Sequence, residues 1–407
     1  MIASKPLSPF RLLLVIALGV GVMITSALSV VAQEKEEPFW AVGRPTSDTA
    51  ATMAPIPSPP LPTSKEELPT LTAPPGFKVE VFASDVLDAR GLRQGDQGTV
   101  FVSSNFIAGK IYALVDKSGT REVKTIAQGL TLPNGIEYYK GTLYVATPKE
   151  ITRYDNIEAQ LDSPPQPVKV YDHLPGNVPH GWKFIKVGPD EKLYVPVGAP
   201  CNICQPDDRH AKIFRMNLDG SGMEPVAEGV RNTVGFDFQP GSGELWFTDN
   251  QRDWLSEDMP PDELNHLSES GKRHFGFPYC HGGVMTDPEF GWGHSCTEFT
   301  PPAALLGPHM APLGMRFYTG SMFPKEYQGA IFIALHGPWN RTTKDADVSV
   351  AFLDKEGKVV RVEPFLTGFV KDNAYVGRPV DVLVMKDGSL LVSDDYNGAV
   401  FRVSYGG

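Results

Sequence analysis

"GTLYVATPKEITRY", residues 141–154, reads as a turn glycine, an alternating apolar strand, a short polar loop and a second strand. The phrase returns as "GTVFVSSN…GKIYALV" from 98, "EKLYVPVG…AKIFRM" from 191, "GELWFTDN…DELNHL" from 243, "GAIFIALH…VSVAFL" from 329 and "GSLLVSDD…GAVFRV" from 388. Further alternating strands precede the copies, as in "GIEYY", "FIKVG", "VGFDFQP", "GMRFYTG" and "DVLVM". A unit of three or four strands over roughly 45–60 residues is the size of a propeller blade. The expected fold is therefore all-β: a six-bladed β-propeller with four-stranded antiparallel blades over residues 76–407. A β-sandwich would leave the recurrence unexplained. "FKVEVFA", residues 77–83, is expected to close the ring beside the C-terminal blade, and an insertion at about 272–308 to stretch the fifth unit.

Outside the repeats, the texture changes. Residues 38–75 are dense in Pro, Ser and Thr, as in "PIPSPPLPTSKEELPTLTAPP", so residues 33–75 read as a flexible tether. Residues 1–32 place Lys5 and Arg11 ahead of an apolar run that ends in Val30-Val31-Ala32, the pattern of a cleavable export signal. The competing reading is an uncleaved anchor, since roughly 20 apolar residues span a bilayer. Cleavage points to a periplasmic or secreted protein with no stable membrane insertion. The formal net charge is −11, and removing residues 1–32 leaves about −13. Such a surface repels nucleic acid. The four cysteines, Cys201, Cys204, Cys280 and Cys296, then reach an oxidising compartment, where sequence-local disulfides 201–204 and 280–296 are expected among three connectivities. A four-cysteine zinc site is the alternative, although the second pair lacks tight C-x₂-C spacing. Asn340-Arg341-Thr342 matches a short glycosylation pattern.

Propellers bind ligands at one mouth of the channel, on loops contributed by all blades. Polar residues at matching strand ends are His180 before "FIKV", Arg231-Asn232 before "VGFDFQP", Asp249 to Arg252 after "ELWF", His336 after "AIFIAL" and Arg378 before "VDVLVM". Singly, each has a bland reading as a packed loop residue, a cap or a surface charge. Their recurrence in register expects them to converge. No G-x-G-x-x-G stands between a strand and a helix, so a dinucleotide site is not expected.

The stretches "HGWKFIKVGPDEKLYVPVG", "GVRNTVGFDFQPGSGELWFTDN", "DELNHL…HFGFPYCHGG", "HGPWNR" and "GRPVDVLVMKDGSLLVSDD" resemble the soluble pyrroloquinoline quinone (PQQ)-dependent sugar dehydrogenases, in the L-sorbosone dehydrogenase-like branch. The resemblance runs from about 75 to 405. It implies a propeller with PQQ over the channel mouth, held by Ca²⁺, with a sugar substrate and an external acceptor, a quinone or small redox protein. His180 matches the family's base, Arg231 and Asn232 its quinone-contacting pair, and Arg378 the first of two carboxylate-binding arginines. Val380 stands at the second arginine, and His336-Gly337 where the family has a lysine; Arg341 or Lys344 are possible replacements. The calcium-binding dipeptide falls at Gln251-Arg252, whose backbone carbonyls can serve whatever the side chains.

The residues suit that chemistry. Oxidising a hydroxyl or hydrated aldehyde needs a base for the O–H proton as hydride leaves carbon, and neutral imidazole serves. Charge developing on a quinone oxygen calls for Ca²⁺ and a guanidinium such as Arg231. A tricarboxylate on an acidic protein requires local cations, with Arg231, Arg252, Arg341 and Arg378 as candidates. Two other readings stay open: a calcium-dependent lactonase using Asn134, Asn232 and Asp381, and a non-catalytic propeller that binds a glycan or protein.

Overall fold

The computed structural model describes residues 68–105, 107–176 and 180–406. The expected leader (1–32) and residues 33–67 of the expected tether lie outside the described residues. Blade one comprises Leu92–Gln94, Val100–Ser103, Ile111–Lys117 and Thr120–Ala127; blade two Gly135–Tyr139, Thr142–Ala146, Ile151–Tyr154 and Val168–Tyr171; blade three Lys186–Val187, Leu193–Val197, Lys212–Met216 and Glu224–Glu228. Blade four comprises Phe236–Phe238, Leu245–Asp249, Pro261–Leu267 and Ala304–Pro308; blade five Pro312–Phe317, Ile331–Leu335, Asp347–Leu353 and Val359–Leu366. Blade six takes Pro379–Val384, Leu390–Asp394 and Ala399–Tyr405 from the C-terminus and Phe77–Ala83 from the N-terminal side. All pairings within the blades are antiparallel. The six-bladed expectation stands, and so does ring closure by residues 77–83, from Phe77 opposite Tyr405 to Ala83 opposite Val400.

Alternation explains why the blades stack. Successive residues of a strand point to opposite faces, and here each face meets a different neighbouring blade. Phe247 packs among blade-three residues, while Trp246 beside it packs among blade-five residues. The apolar core is accordingly six wedges, one between each pair of adjacent blades. Burying a side chain of this size stabilises by roughly 1.5–3 kcal/mol. Inner strands approach so closely that side chains are excluded at some starts: a Cβ at Gly135 would lie 2.2 Å from the Lys183 carbonyl oxygen, and one at Gly235 2.0 Å from that of Leu313.

Each inner strand also contributes one charge, and the signs alternate: Arg93, Glu137, Lys186, Asp237, Arg316, Asp381. Arg93 pairs with Glu137 and, at 3.5 Å, with Asp381; Lys186 pairs with Asp237 at 3.3 Å; Arg316 pairs with Asp381 at 3.3 Å. Both guanidinium groups stack on Phe184, 5.0 and 5.2 Å from its centroid. An alternating ring closes only around an even number of blades. Burying these groups is tolerable because every charge has a neighbour of opposite sign.

Two expectations need correction. The insertion stretches the fourth blade, not the fifth: it lies between Pro261–Leu267 and Ala304–Pro308, which pair with each other. The repeated phrase marks only the two middle strands of a blade, so an insertion ahead of a fourth strand looks like one ahead of the next blade. The fixed chain also begins before 76, since Thr72 bridges Thr367 and Leu71 packs on the core. Both sequence-local disulfides form, Cys201–Cys204 and Cys280–Cys296. Among the described residues, no helix is long and apolar enough to cross a membrane.

Candidate active site

The residues that lead into the inner strands meet at one mouth of the channel around a cavity of about 310 Å³. His180, Arg231, Asn232, Gln251, His336 and Arg378 all line it. Arg252 and Arg341 do not. The Arg252 side chain is fully buried beside the wall, with Nη1 2.8 Å from Asp287 and Nη2 2.8 Å from Glu289 of the blade-four insertion. Arg341 turns to Asp258 at 3.1 Å, and Lys344 donates to the Arg341 carbonyl. Neither Arg252 nor Arg341 therefore supplies a guanidinium to the cavity. Of Asn134, Asn232 and Asp381, only Asn232 lines it: Asn134 holds Arg90 and the Lys183 carbonyl, and Asp381 belongs to the channel ring. Asn340 is buried and donates to Asp253, which leaves it inaccessible as a glycan acceptor.

His180 is buried, and its Nδ1 lies 2.7 Å from the carbonyl oxygen of Ala199. A carbonyl only accepts, so Nδ1 carries the proton and Nε2 keeps its lone pair. Nε2 has no partner among the described residues. Burial, and then the charge of Arg231, holds the imidazole well below its ordinary pKa and keeps it neutral. Gly198 makes the fit possible, because a Cβ there would lie 2.5 Å from the Cβ of His180.

Arg231 is fixed before any ligand arrives. Nε donates to the Asn202 carbonyl (2.8 Å), Nη1 to that of Asn250 (2.9 Å), and Nη2 to Asn202 Oδ1 (2.8 Å) and Asp253 (3.2 Å). The backbone is fixed as well: the Asp249 carboxylate accepts from the N–H groups of Arg231 (2.9 Å) and Asn232 (2.6 Å). Asn202 sits inside the Cys201–Cys204 loop. The C-x-x-C pair thus staples the short segment that orients Arg231. Gln251 is held from behind by Asp262, which accepts its N–H at 2.7 Å, and by His281, 2.9 Å from its Oε1. The His281 ring lies between Gln251 and Asp287.

Val234, Leu313 and Trp182, members of an apolar cluster that also includes Val380, complete the wall. Arg90, Asn202, Asp253 and His309 also line the cavity and were not singled out from sequence. Arg90 precedes an inner strand as Arg378 does, but that strand is only three residues long.

Buried carboxyls make stability depend on pH. Burial lifts Asp249, Asp262 and Asp394 to about 7 and Glu263 to about 8. The folded state then keeps protons that the unfolded chain releases near ~4, so this stability is full in acid and is lost as pH rises to 7–8. Histidines act oppositely: burial lowers His180, His281 and His336, the last to about 4, and costs stability as pH falls below 6.5. Above 6.5 the four carboxyls outweigh Lys183, which burial lowers to about 7 and which opposes them only as pH rises past that value. The thermal midpoint is expected to drop from pH 6.5 to pH 8, and a flat profile there would mean these carboxyls are ionised in the folded protein.

The six-bladed propeller thus gathers a neutral, oriented imidazole and three guanidinium groups at one mouth of its channel. The chain is a member of the TrAA12-like family, whose model matches residues 71–406. It is 37% identical over 360 residues to a Borreliella burgdorferi protein described as uncharacterized, across 84% of this chain and 93% of that one. Among solved structures, it is similar to the iodide structure of Trichoderma reesei Carbohydrate-Active Enzymes Family AA12 (TM-score 0.73, 19% identity, 83% of this chain and 98% of that one). A calcium structure of the same Trichoderma reesei family member superimposes with a TM-score of 0.72 at 18% identity, covering 83% and 98%. The holo pyranose dehydrogenase PQQ domain from Coprinopsis cinerea gives a TM-score of 0.71 at 19% identity, covering 86% and 100%. The PQQ-bound aldose sugar dehydrogenase from Streptomyces coelicolor gives 0.60 at 18% identity, covering 82% and 99%. At these identities the structural likenesses bear on the fold.

Proposed function

We propose that this chain is a PQQ-dependent dehydrogenase that oxidises a sugar or sugar aldehyde and passes the electrons to an external acceptor, a quinone or small redox protein. The observation that carries the reading is His180, pinned through Nδ1–H to Ala199 with Nε2 unpartnered, on a cavity that also holds Arg90, Arg231 and Arg378. The PQQ-bound neighbours and the family membership support it.

The donor set fits the cofactor. PQQ is a planar quinone with three carboxylates, and the cavity pairs three guanidinium groups with an apolar wall of Trp182, Val234 and Leu313. When bound, PQQ supplies the two-electron acceptor that no protein side chain provides. His180 would take the substrate's O–H proton at Nε2, so that the carbon bearing that oxygen can become a carbonyl as its hydride passes to the acceptor that bound PQQ would supply; such a base is worth about 10²–10⁴-fold. Arg231, with four N–H bonds already made, presents its charge to a developing oxyanion with little reorganisation. The backbone carbonyls of Gln251 and Arg252 are our candidates for calcium, and the calcium structure of the Trichoderma relative supports a role for that ion. A sorbosone-like sugar aldehyde and a periplasmic or secreted location complete the reading, supported by the leader-like residues 1–32 and the two disulfides.

Titration with micromolar PQQ and excess Ca²⁺, followed by cofactor absorbance, is expected to saturate at one equivalent. The loaded protein is expected to reduce a redox dye with an aldose or sugar aldehyde. No binding of PQQ sinks the proposal, and hydrolysis of lactones without dye reduction would replace it with the hydrolase reading.

A further inference from the structure

Beside the cavity, one cation is buried without a counter-ion. Lys183 is 0% exposed, and its Nζ donates to the carbonyl oxygens of Pro175 (3.1 Å) and Gly181 (2.5 Å). No carboxylate pairs with it among the described residues, and burial alone pushes the lysine down to about 7. Burying an ammonium with no opposite charge is strongly unfavourable, so an apolar side chain of similar length would serve the scaffold better.

The surroundings show what the charge holds. Pro175 and Gly181 lie on either side of His180 in sequence, so one ammonium ties the chain ahead of the imidazole to the chain just after it. His180 and Trp182 line the cavity, whereas Lys183 does not. The lysine backbone is itself anchored to blade two. Asn134 Nδ2 donates to its carbonyl oxygen at 3.2 Å, and a Cβ at Gly135 would lie 2.2 Å from that oxygen, so only glycine admits the approach. From blade three, the Ala199 carbonyl holds the imidazole at Nδ1, and the Ala199 N–H donates to the Arg231 carbonyl at 2.8 Å. His180 thus has two supports: a carbonyl that fixes its ring and a buried ammonium that fixes the backbone carrying it.

We propose that Lys183 is a positioning residue for His180: by donating to the Pro175 and Gly181 carbonyls on either side, its ammonium holds the imidazole where Nε2 meets the substrate's O–H group. The inference rests on the general-base reading of His180. An ionised donor suits the task, because hydrogen bonds from a charged group are roughly twice as strong as neutral ones. The gain that offsets the unfavourable burial is precision, since misplacing a catalytic group by about 1 Å can cost about 10²-fold in rate.

The test compares wild type, Lys183→Met and Lys183→Gln after loading with PQQ and Ca²⁺. Methionine keeps a long unbranched side chain without donors or charge; glutamine keeps an N–H donor without the charge. In Lys183→Met, kcat with an aldose is expected to fall about tenfold to a hundredfold, while KM and the Kd for PQQ move less than about twofold. The urea midpoint at pH 6.5 is expected to stay level or rise, because an uncompensated buried charge has been removed. Lys183→Gln is expected to fall between the two in kcat, and it carries the same comparison if Lys183→Met does not fold. A second readout needs no activity: nitrogen NMR of the full chain labelled at histidine, with the His180 signals assigned through His180→Ala. Wild type is expected to show a single Nδ1–H tautomer, and Lys183→Met a mixture of tautomers or a lost Nδ1–H signal. With an active wild type, an unchanged kcat, or a loss of kcat in proportion to a lower urea midpoint, overturns the positioning role and leaves the dehydrogenase reading standing. With an inactive wild type, the spectrum decides: a changed His180 signal keeps the positioning role while the dehydrogenase reading falls, and an unchanged one sinks both.

Discussion

His180→Ala is expected to lower kcat by about 10²–10⁴-fold, the contribution of an ordinary general base, with PQQ binding nearly unchanged. The two effects separate because the base acts on the substrate proton in the transition state, whereas the guanidinium contacts are made in the ground state. The bond from Nδ1–H to Ala199 sharpens the expectation, since it leaves only Nε2 to take a proton. The pH profile supplies an independent readout. Burial and the Arg231 charge hold His180 neutral well below 6.5, so kcat/KM of wild type should persist into mild acid, where a solvent-exposed histidine would already be protonated. Parallel losses of turnover and cofactor affinity in His180→Ala would show a packing residue instead of a base. Alanine keeps the Cβ that lies over Gly198, so the truncation leaves that close approach unchanged.

Asp381→Ala is expected to destabilise the fold by about 3–5 kcal/mol, the cost of leaving buried charge uncompensated. Asp381 accepts from Arg316 and Arg93 and from the backbone N–H of Leu92; its loss leaves Arg93 with Glu137 but takes from Arg316 the carboxylate it pairs with, while both guanidinium groups stay near Phe184. Urea titration reads the change as a lower midpoint. Lys78→Ala is the control: its pair with Glu80 is largely exposed, with the lysine side chain 70% accessible, and such pairs contribute at most about 1 kcal/mol. If Asp381→Ala moved the midpoint no more than Lys78→Ala, water in the channel would be screening the ring, and the alternating charges would not close the propeller energetically. A measured loss also bears on the lactonase reading, because an aspartate bound to two arginines serves the scaffold, not a metal.

Blade number and strand order were legible because alternation is a local property: each residue's burial depends on its strand's two faces, and six copies repeat it. The misplaced insertion shows the limit. Residues 268–303 separate two strands of blade four that pair only in three dimensions, and nothing local states to which neighbour the returning strand belongs. Blade one shows a second limit. Its inner strand, Leu92–Gln94, is three residues long with a charged residue in the middle, so it offers no alternation to read. Without that strand as a reference, Arg90 had no register position to mark it, although Arg378 at the corresponding place in blade six was found.

The sequence by itself determined the six units, the closing strand, the two local disulfides and the residues that precede inner strands, His180, Arg231, Asn232 and Arg378 among them. Each follows from periodicity or spacing along the chain. Only the tertiary structure decided which cations serve the cavity. Arg252 and Arg341 carry the same charge as Arg231 and Arg378, but Asp287, Glu289 and Asp258 neutralise them away from it, and those acids approach only after the insertion and loops fold back. Arg90 enters because ring closure sets blade one beside blade six. The alternating ring was likewise invisible, since successive members are 44 to 79 residues apart and their signs matter only once the channel brings them within a few ångströms, where desolvation makes an opposite charge the condition for burial.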